Sequence, residues 1–303
     1  MSASSRAGRR IDRKYPAHVQ FKRVDTFACS LTTQAELEPA GRAPATSAAS
    51  LASLLQQCAV VCFEPGSHAL ISGASDERRR FVDWGVFHVE QDFAVVAKRY
   101  RRALRQRNAA LREGLADPQL SVWDGELARA AQPLAQARQR YLDRLRPRLA
   151  ELLGRYLPDL GAADLRYRPG WDADRDLAAV LAEVGSIDRQ RGHTTRGPHR
   201  ADWVLTFPGA PRREQLSRGQ EKLCAIACML AQAELYQDDH GEWPIVVLDD
   251  LPSELDQAHL DATLRSLNPS AQVFLSSTEV PDALRRTGIE FRRFHVEQGA
   301  VRS

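Results

Sequence analysis

Apolar positions follow different periods in different parts of the chain. Residues 1–50 mix basic side chains with Ser, Thr, Ala and Pro, as in LEPAGRAPATSAAS, and sustain neither a helical nor a strand period. Such a stretch offers little apolar surface to offset the entropy of ordering it, which predicts a poorly ordered segment or one outside the fold. From Ser50 the pattern sharpens. SLASLLQQ reads as a short helix, and the apolar run AVVCF (59–63) as a strand ending in the turn EPGSH. ERRRFVDWGVFH and FAVVAKRYRRALRQRNAALREG (93–114) then carry apolar residues at helical spacing. Ala97, Tyr100, Leu104 and Leu111 fall near one stripe, with arginines around the remainder. ADP (116–118) breaks this helix. A second runs from about Leu120 through ELARAAQPLAQARQRYLDRLRPRLAELLGRYL, where Pro133 and Pro147 are expected to kink or interrupt it. Two long helices joined by a short break predict an antiparallel helical arm.

After Gly161 the reading is mixed: LRYRPGW extended, DLAAVLAEVGSIDRQRG helical, HRADWVLTF (199–207) a strand. From Leu216 the alternation is regular. A helix (217–236) leads to the strand IVVLD (245–249), a helix near 256–266 and the strand QVFLSS (272–277). A short helix (281–286) and a final strand, FRRFHVE (291–297), follow. Strands alternating with helices predict an α/β fold around a largely parallel sheet.

Composition narrows the class. With 43% hydrophobic and 27% charged residues in 303, the chain has the make-up of a soluble globular protein large enough for a substantial core. No apolar run approaches the length of a membrane span, and no apolar core follows the basic N-terminus as in a secretory signal, so the cytoplasm is the expected compartment. Cys58 and Cys62, like Cys224 and Cys228, are four apart, a spacing that on a helix would put both thiols on one face; with Cys29 they lack the spacing of a zinc site and read as reduced core cysteines. The net charge of +3 is modest, and only Lys14, Lys22, Lys98 and Lys222 are lysines, so local arginine clusters are the better guide to a polyanion partner.

Two segments carry chemistry. In PIVVLDDLPSELD (244–256) an apolar strand ends in Asp249 and Asp250, which puts two carboxylates at the carboxyl edge of a sheet, where α/β proteins bind ligands. A P-loop nucleotidase uses such a first acid to hold Mg²⁺ through water and the next to orient or deprotonate the attacking water; a plain Asx turn is the alternative. In LSRGQEK (216–222), Ser217 is a good helix N-cap and Gly219 lets backbone approach an anion, although the same letters can be a cap and nothing more. Their order resembles that of ABC ATPases, whose signature loop in one subunit closes over the γ-phosphate held by another. Ser253, Glu254 and Asp256 would then belong to the D-loop at that dimer interface.

LSRGQEK, VVLDDLPSELD, TTRGPHRAD (194–202), FEPGSH (63–68), RRRFVDWGVFH (78–88) and RQRNAAL (105–111) together resemble the RecF family of recombination-repair ATPases, bacterial relatives of SMC proteins, over roughly residues 50–300. The resemblance implies an ABC-type P-loop ATPase head, incomplete on its N-terminal side, with an inserted helical lobe. It divides the chain into an irregular 1–50, a piece of the ATPase lobe at 51–75, the helical lobe at 76–160 and a C-terminal ATPase lobe at 161–303. It implies that Ser217, Arg218, Gly219 and Gln220 contact ATP across a homodimer, that Asp249 is the Mg²⁺-linked acid and Asp250 the catalytic one, and that Thr278 stands at the switch position. It further implies binding of single-stranded or gapped DNA, with other recombination mediators as partners and no membrane. Lys98, Arg101, Arg102 and Arg105 are the favoured DNA contacts; Arg78, Arg79, Arg80, Arg99 and Arg107 are further candidates. His199 and Arg200 could equally bridge Asp202 or the sheet edge, and Trp84 and Trp203 read as core.

One departure is large. No GxxxxGK[ST] phosphate loop occurs, and none of the lysines follows a glycine-rich turn. A truncated or mis-started chain is the simplest reading, with weak or absent ATPase activity expected. A non-catalytic DNA- or partner-binding paralogue is the main alternative. An ABC transporter subunit is a further one, opposed by GPHRAD and the arginine-rich helices.

Overall fold

The computed structural model describes residues 58–297 and 300–302, so the irregular segment and the short helix expected before residue 58 lie outside the described residues. The described chain begins with strand β1 (Val60–Phe63) and the turn of helix α1 (Ala69–Ser72), followed by helices α2 (Ser75–Val89), α3 (Phe93–Arg112) and α4 (Asp117–Tyr156). Strand β2 (Asp164–Arg168), helices α5 (Leu177–Glu183) and α6 (Gly185–Arg191), and strand β3 (Asp202–Thr206) come next. Helix α7 (Arg218–His240), strand β4 (Ile245–Leu248), helices α8 (Leu251–Glu254) and α9 (Gln257–Arg265), strand β5 (Val273–Leu275) and helix α10 (Asp282–Thr287) complete the α/β part. Strands β6 (His295–Glu297) and β7 (Ala300–Arg302) close the chain.

β1, β4 and β5 form a parallel sheet in that order, whereas β2 and β3 form a separate antiparallel pair. The final strand is shorter than expected. It begins at His295 and forms a hairpin with β7 rather than joining the parallel sheet. Neither proline interrupts α4, which is one helix across both. Each proline removes an N–H bond to the carbonyl four residues earlier. Pro133, Pro147 and the freed carbonyls' residues, Arg129 and Asp143, are all exposed, so water can take those bonds while the buried stripe Leu145, Leu149, Leu152 and Tyr156 stays packed.

α7 is buried nearly all round from Leu223 to Tyr236 and is the central helix of the core. Its one interior amide, Gln232, donates to the Phe81 carbonyl at 3.0 Å and to the Tyr141 hydroxyl at 2.9 Å, which satisfies a group that would otherwise be costly to bury. Gly85 lets α2 approach α4: a methyl there would fall 2.0 Å from the Tyr141 ring. The parallel sheet buries Val246 and Leu248 of β4, each 0% exposed. On its other face Cys62, Val247 and Phe274 stand in register as a row, and Phe274 is 51% exposed. Among the described residues, no helix is long and apolar enough to cross a membrane, and no group of three or more His, Cys, Asp and Glu could hold a metal ion.

Candidate functional site

Ser217 caps α7 as its sequence predicts. The Ser217 hydroxyl accepts from the Gln220 N–H at 3.2 Å, and the Gln220 side-chain oxygen accepts from the Ser217 N–H at 2.8 Å, a reciprocal capping box. Ser217, Arg218 and Gly219 are exposed. Gly219 does not have a positive φ, and a methyl there would meet only the Ser217 hydroxyl, at 3.9 Å. Packing inside the chain therefore does not call for a glycine. What its bare backbone provides is access from outside, next to the first N–H groups of a long helix, where a partial positive charge gathers.

β4 delivers Asp249 and Asp250 to the open end of the parallel sheet. The Asp249 N–H closes the ladder onto the Phe63 carbonyl at 2.8 Å. Asp250 is the one described non-glycine residue with positive φ (49°, with ψ 30°), a left-handed turn that acidic side chains tolerate better than most. Ser276, just beyond β5, holds the pair. Its hydroxyl donates to an Asp249 carboxylate oxygen at 2.5 Å and accepts from the Asp250 N–H at 3.0 Å. Ser253 donates to the Asp250 carboxylate at 2.6 Å. Thr278, the residue suggested for the switch, is exposed two positions past Ser276. The only sequence signal for Ser276 was its place at the carboxyl end of the neighbouring parallel strand.

The signature and acid segments meet through a contact that sequence reasoning missed. Lys222, in the first turns of α7, makes a 2.6 Å ion pair with Glu254 at the end of α8. Asp256 caps α9, accepting the His259 N–H at 2.9 Å, and this bond is the first cause that holds its carboxyl below the usual range. Ser217–Gly219, Asp249, Ser253 and Asp256 all reach the surface of one chain.

The arginines separate into two groups. Arg78 and Arg107 cannot track an external phosphate, because both are buried and bonded within the chain. Arg78, 2% exposed, grips Asp202 with two bonds (2.6 and 3.1 Å) and reaches the carbonyls of Ile71 and Gly73. It thereby ties α2 to β3, and Asp202 is taken by Arg78 rather than by His199 or Arg200. Arg107, 0% exposed, binds Asp124 and Asp188, each at 2.6 Å, and the Thr194 hydroxyl at 2.9 Å. Arg79 donates to the Ala201 carbonyl, Arg80 pairs with Glu77 and Arg99 with Glu126. Lys98, Arg101, Arg102 and Arg105 are exposed on α3 with no acid partner among the described residues. Trp203 is core: its indole N–H donates to the Arg78 carbonyl and its ring lies 5.8 Å from that of Phe81.

His199 is held neutral inside this assembly. Its Nε2–H donates to the Thr194 carbonyl at 2.9 Å, and its Nδ1 accepts from the Tyr100 hydroxyl at 2.7 Å. Burial lowers its pKa to about 4, and burial does the same for His88 on α2, also to about 4. In the unfolded chain both return to about 6.5, so between pH 6.5 and 4 the unfolded state binds more protons. Stability from these groups is complete above pH 6.5 and drains away as the pH falls towards 4. The melting temperature is expected to drop over that interval, and His88→Phe to make the drop shallower; an unchanged profile would remove His88 from the account.

No protein-family model matches the chain. It is 48% identical over 263 residues to the DNA replication and repair protein RecF of Xanthomonas euvesicatoria pv. vesicatoria (strain 85-10), covering 86% of this chain and 72% of that protein. To RecF of Xanthomonas oryzae pv. oryzae (strain KACC10331 / KXO85) it is 46% identical over 290 residues, covering 93% and 79%. To RecF of Pseudomonas aeruginosa (strain LESB58) it is 41% identical over 259 residues, covering 84% and 70%. Two solved structures of the recombination mediator protein RecF share its fold at 22% identity. The RecF-ATP structure superposes with a TM-score of 0.67 over 75% of this chain and 64% of its own. The RecF-ATPrS structure superposes with a TM-score of 0.71 over 82% and 69%. These likenesses bear out the mixed α/β, ABC-type head and the resemblance stated from the motifs.

Proposed function

The chain belongs to the RecF family of DNA replication and repair proteins, and from that premise we propose that it is the part of an ATP-governed DNA clamp that closes on a nucleotide from the opposite subunit. The observation that carries this reading is the joint exposure of Ser217–Gly219 and Asp249, with Asp250 half-buried beside it, on elements that touch through Lys222 and Glu254. Ser217, Arg218, Gly219 and Gln220 of one copy would meet the γ-phosphate from one side, through the Arg218 and Gly219 N–H groups that the Ser217–Gln220 capping box leaves open. On the acid side Asp249 would hold Mg²⁺ through water, and Asp250 would orient the attacking water. Ser276 fixes the Asp249 carboxylate and Ser253 the Asp250 carboxylate, on the αL turn at Asp250, which supports that division of labour. Ser253, Glu254 and Asp256 would face the partner copy, and Thr278 would stand near the terminal phosphate.

The residues present fit the signature loop, which acts across the dimer, and the acid pair, but not the phosphate cradle of a nucleotide site. Among the 303 residues there is no glycine-rich loop and lysine to cradle the β- and γ-phosphates in the same chain, so weak or absent hydrolysis by the chain alone is part of the proposal. A second reading, DNA binding without catalysis, draws on that same missing loop; DNA affinity indifferent to ATP would favour it.

The DNA part of the proposal rests on Lys98, Arg101, Arg102 and Arg105, exposed cations with no internal acid to satisfy. Each phosphate contact on single-stranded DNA contributes about 0.7 to the slope of log affinity against log salt. Replacing Arg101 and Arg105 with alanine is therefore expected to lower that slope by about 1.4, measured by anisotropy of a labelled oligonucleotide. A slope that does not change would put the DNA surface elsewhere.

A further inference from the structure

The segment His193–Arg200, apart from a 3-10 turn at Pro198–Arg200, has no regular structure, yet several anchors hold it against α3 and α4. A methyl at Gly192 would lie 3.5 Å from Arg112 Cγ, which sets the start of the segment beside the last turn of α3. The Thr194 N–H and hydroxyl both donate to Asn108 Oδ1, at 2.8 and 2.7 Å. Gly197 (φ 128°) passes so close to Tyr100 that a methyl would sit 3.0 Å from its hydroxyl oxygen. The Tyr100 hydroxyl then donates to His199, and Arg138 of α4 donates to the Pro198 carbonyl at 2.7 Å. The segment thus runs antiparallel to α3, from Arg112 past Asn108 to Tyr100.

That path decides where its charges fall. Arg196 follows the Thr194–Asn108 anchor and precedes the Gly197–Tyr100 anchor, which puts its backbone along the stretch of α3 that carries Arg101 and Arg105. Arg191, Arg196 and Arg200 are exposed, as are Arg101, Arg105 and Arg112. None of the six pairs with a carboxylate among the described residues; Arg200 donates to His193 Nε2 at 3.3 Å. Glu113, exposed at the end of α3, pairs with none of them. Two further acids packed against α3 are turned inward. Asp124 and Asp188 are buried on Arg107, and Asp188 also accepts from the Thr195 N–H and hydroxyl at 3.0 and 2.6 Å. Crowding like charges without acids costs free energy in the isolated protein and is offset when a polyanion brings phosphates and releases its counterions.

We infer that residues 191–200 and the exposed side of α3 form one phosphate-tracking surface, with Arg196 and Arg200 as contact residues and Arg107 and Asn108 as positioning residues that hold the segment in place. This rests on the DNA-binding reading above and extends it to a second element. The test is binding of a fluorescein-labelled, mixed-sequence single-stranded oligonucleotide to the full chain between about 50 and 200 mM salt. Replacing Arg196 and Arg200 with alanine is expected to lower the salt slope by about 1.4 and weaken binding several-fold at the lower salt. Asn108→Ala removes no charge, yet it is expected to lower the slope as well, because Arg196 loses its fixed place; a merely structural Asn108 would lower the melting temperature and leave the slope alone. If the Arg101/Arg105 variant lowers the slope and the Arg196/Arg200 variant does not, this inference is overturned while the DNA reading stands. If the unaltered chain fails to bind the oligonucleotide, the DNA reading itself is overturned.

Discussion

Replacing Asp188 with alanine is expected to remove about 3–5 kcal/mol of folding stability, the usual loss when a buried ion pair is broken from one side. Asp188 is 0% exposed and accepts from Arg107, from the Thr195 N–H and from the Thr195 hydroxyl. Without it Arg107, also 0% exposed, keeps only Asp124 and the Thr194 hydroxyl, and a guanidinium held away from water cannot recover the lost partner from solvent. Domains of this kind are stable by about 5–15 kcal/mol, so the change is a large share of the total and is read directly as a lower urea midpoint. Glu151→Ala is the control. It breaks the Arg155–Glu151 pair, whose side chains are 52% and 69% exposed, and it is expected to leave the midpoint within the scatter of surface substitutions. Equal midpoints for the two variants would mean that the Arg107 hub does not hold the helices and the 191–200 segment together.

Fusing a strand–GxxxxGK[ST]–helix module ahead of residue 58 is expected to convert the chain into one that dimerises when ATP is added. The module would supply the phosphate cradle that the sequence lacks, and the row Cys62, Val247 and Phe274 offers it an apolar sheet face to cover. Light scattering with and without ATP reads the result, and a fused protein that stays monomeric at saturating ATP counts against a nucleotide sandwiched between Ser217–Gln220 and the acid pair. Within the fused protein, Asp250→Asn is expected to keep the ATP-dependent dimer while slowing hydrolysis by about 10²–10⁴-fold, the range for loss of a positioned general base. Normal turnover in that variant would assign the water-orienting role to another group.

Arg78 and Arg107 stand in the runs RRR and RQR beside exposed arginines. Helical phase separates them. Arg107 shares its face with Ala103, Ala110 and Leu111, and Arg78 precedes Phe81 and Val82 by three and four residues, on the buried side of α2. That phase marks both as inward, although it does not name their partners. Asp202 is 124 positions from Arg78 and Asp188 is 81 from Arg107, and no local pattern links residues so far apart. Ser276 escaped notice for a similar reason: it acts on Asp249 and Asp250 only because β5 lies beside β4.

What the sequence determined by itself was local and ordered. The S-x-x-Q box starting α7, the apolar run of β4 ending in two acids, and the stripes of α3 and α4 each arise from neighbours a few residues apart, where backbone geometry allows few choices. Tertiary structure alone decided which charges sit inside and which meet solvent, because an arginine can be buried only where distant acids and carbonyls converge to satisfy it. It also laid the 191–200 segment along α3 and joined Lys222 to Glu254, contacts whose energy exists only once chain entropy has been overcome by the shared core.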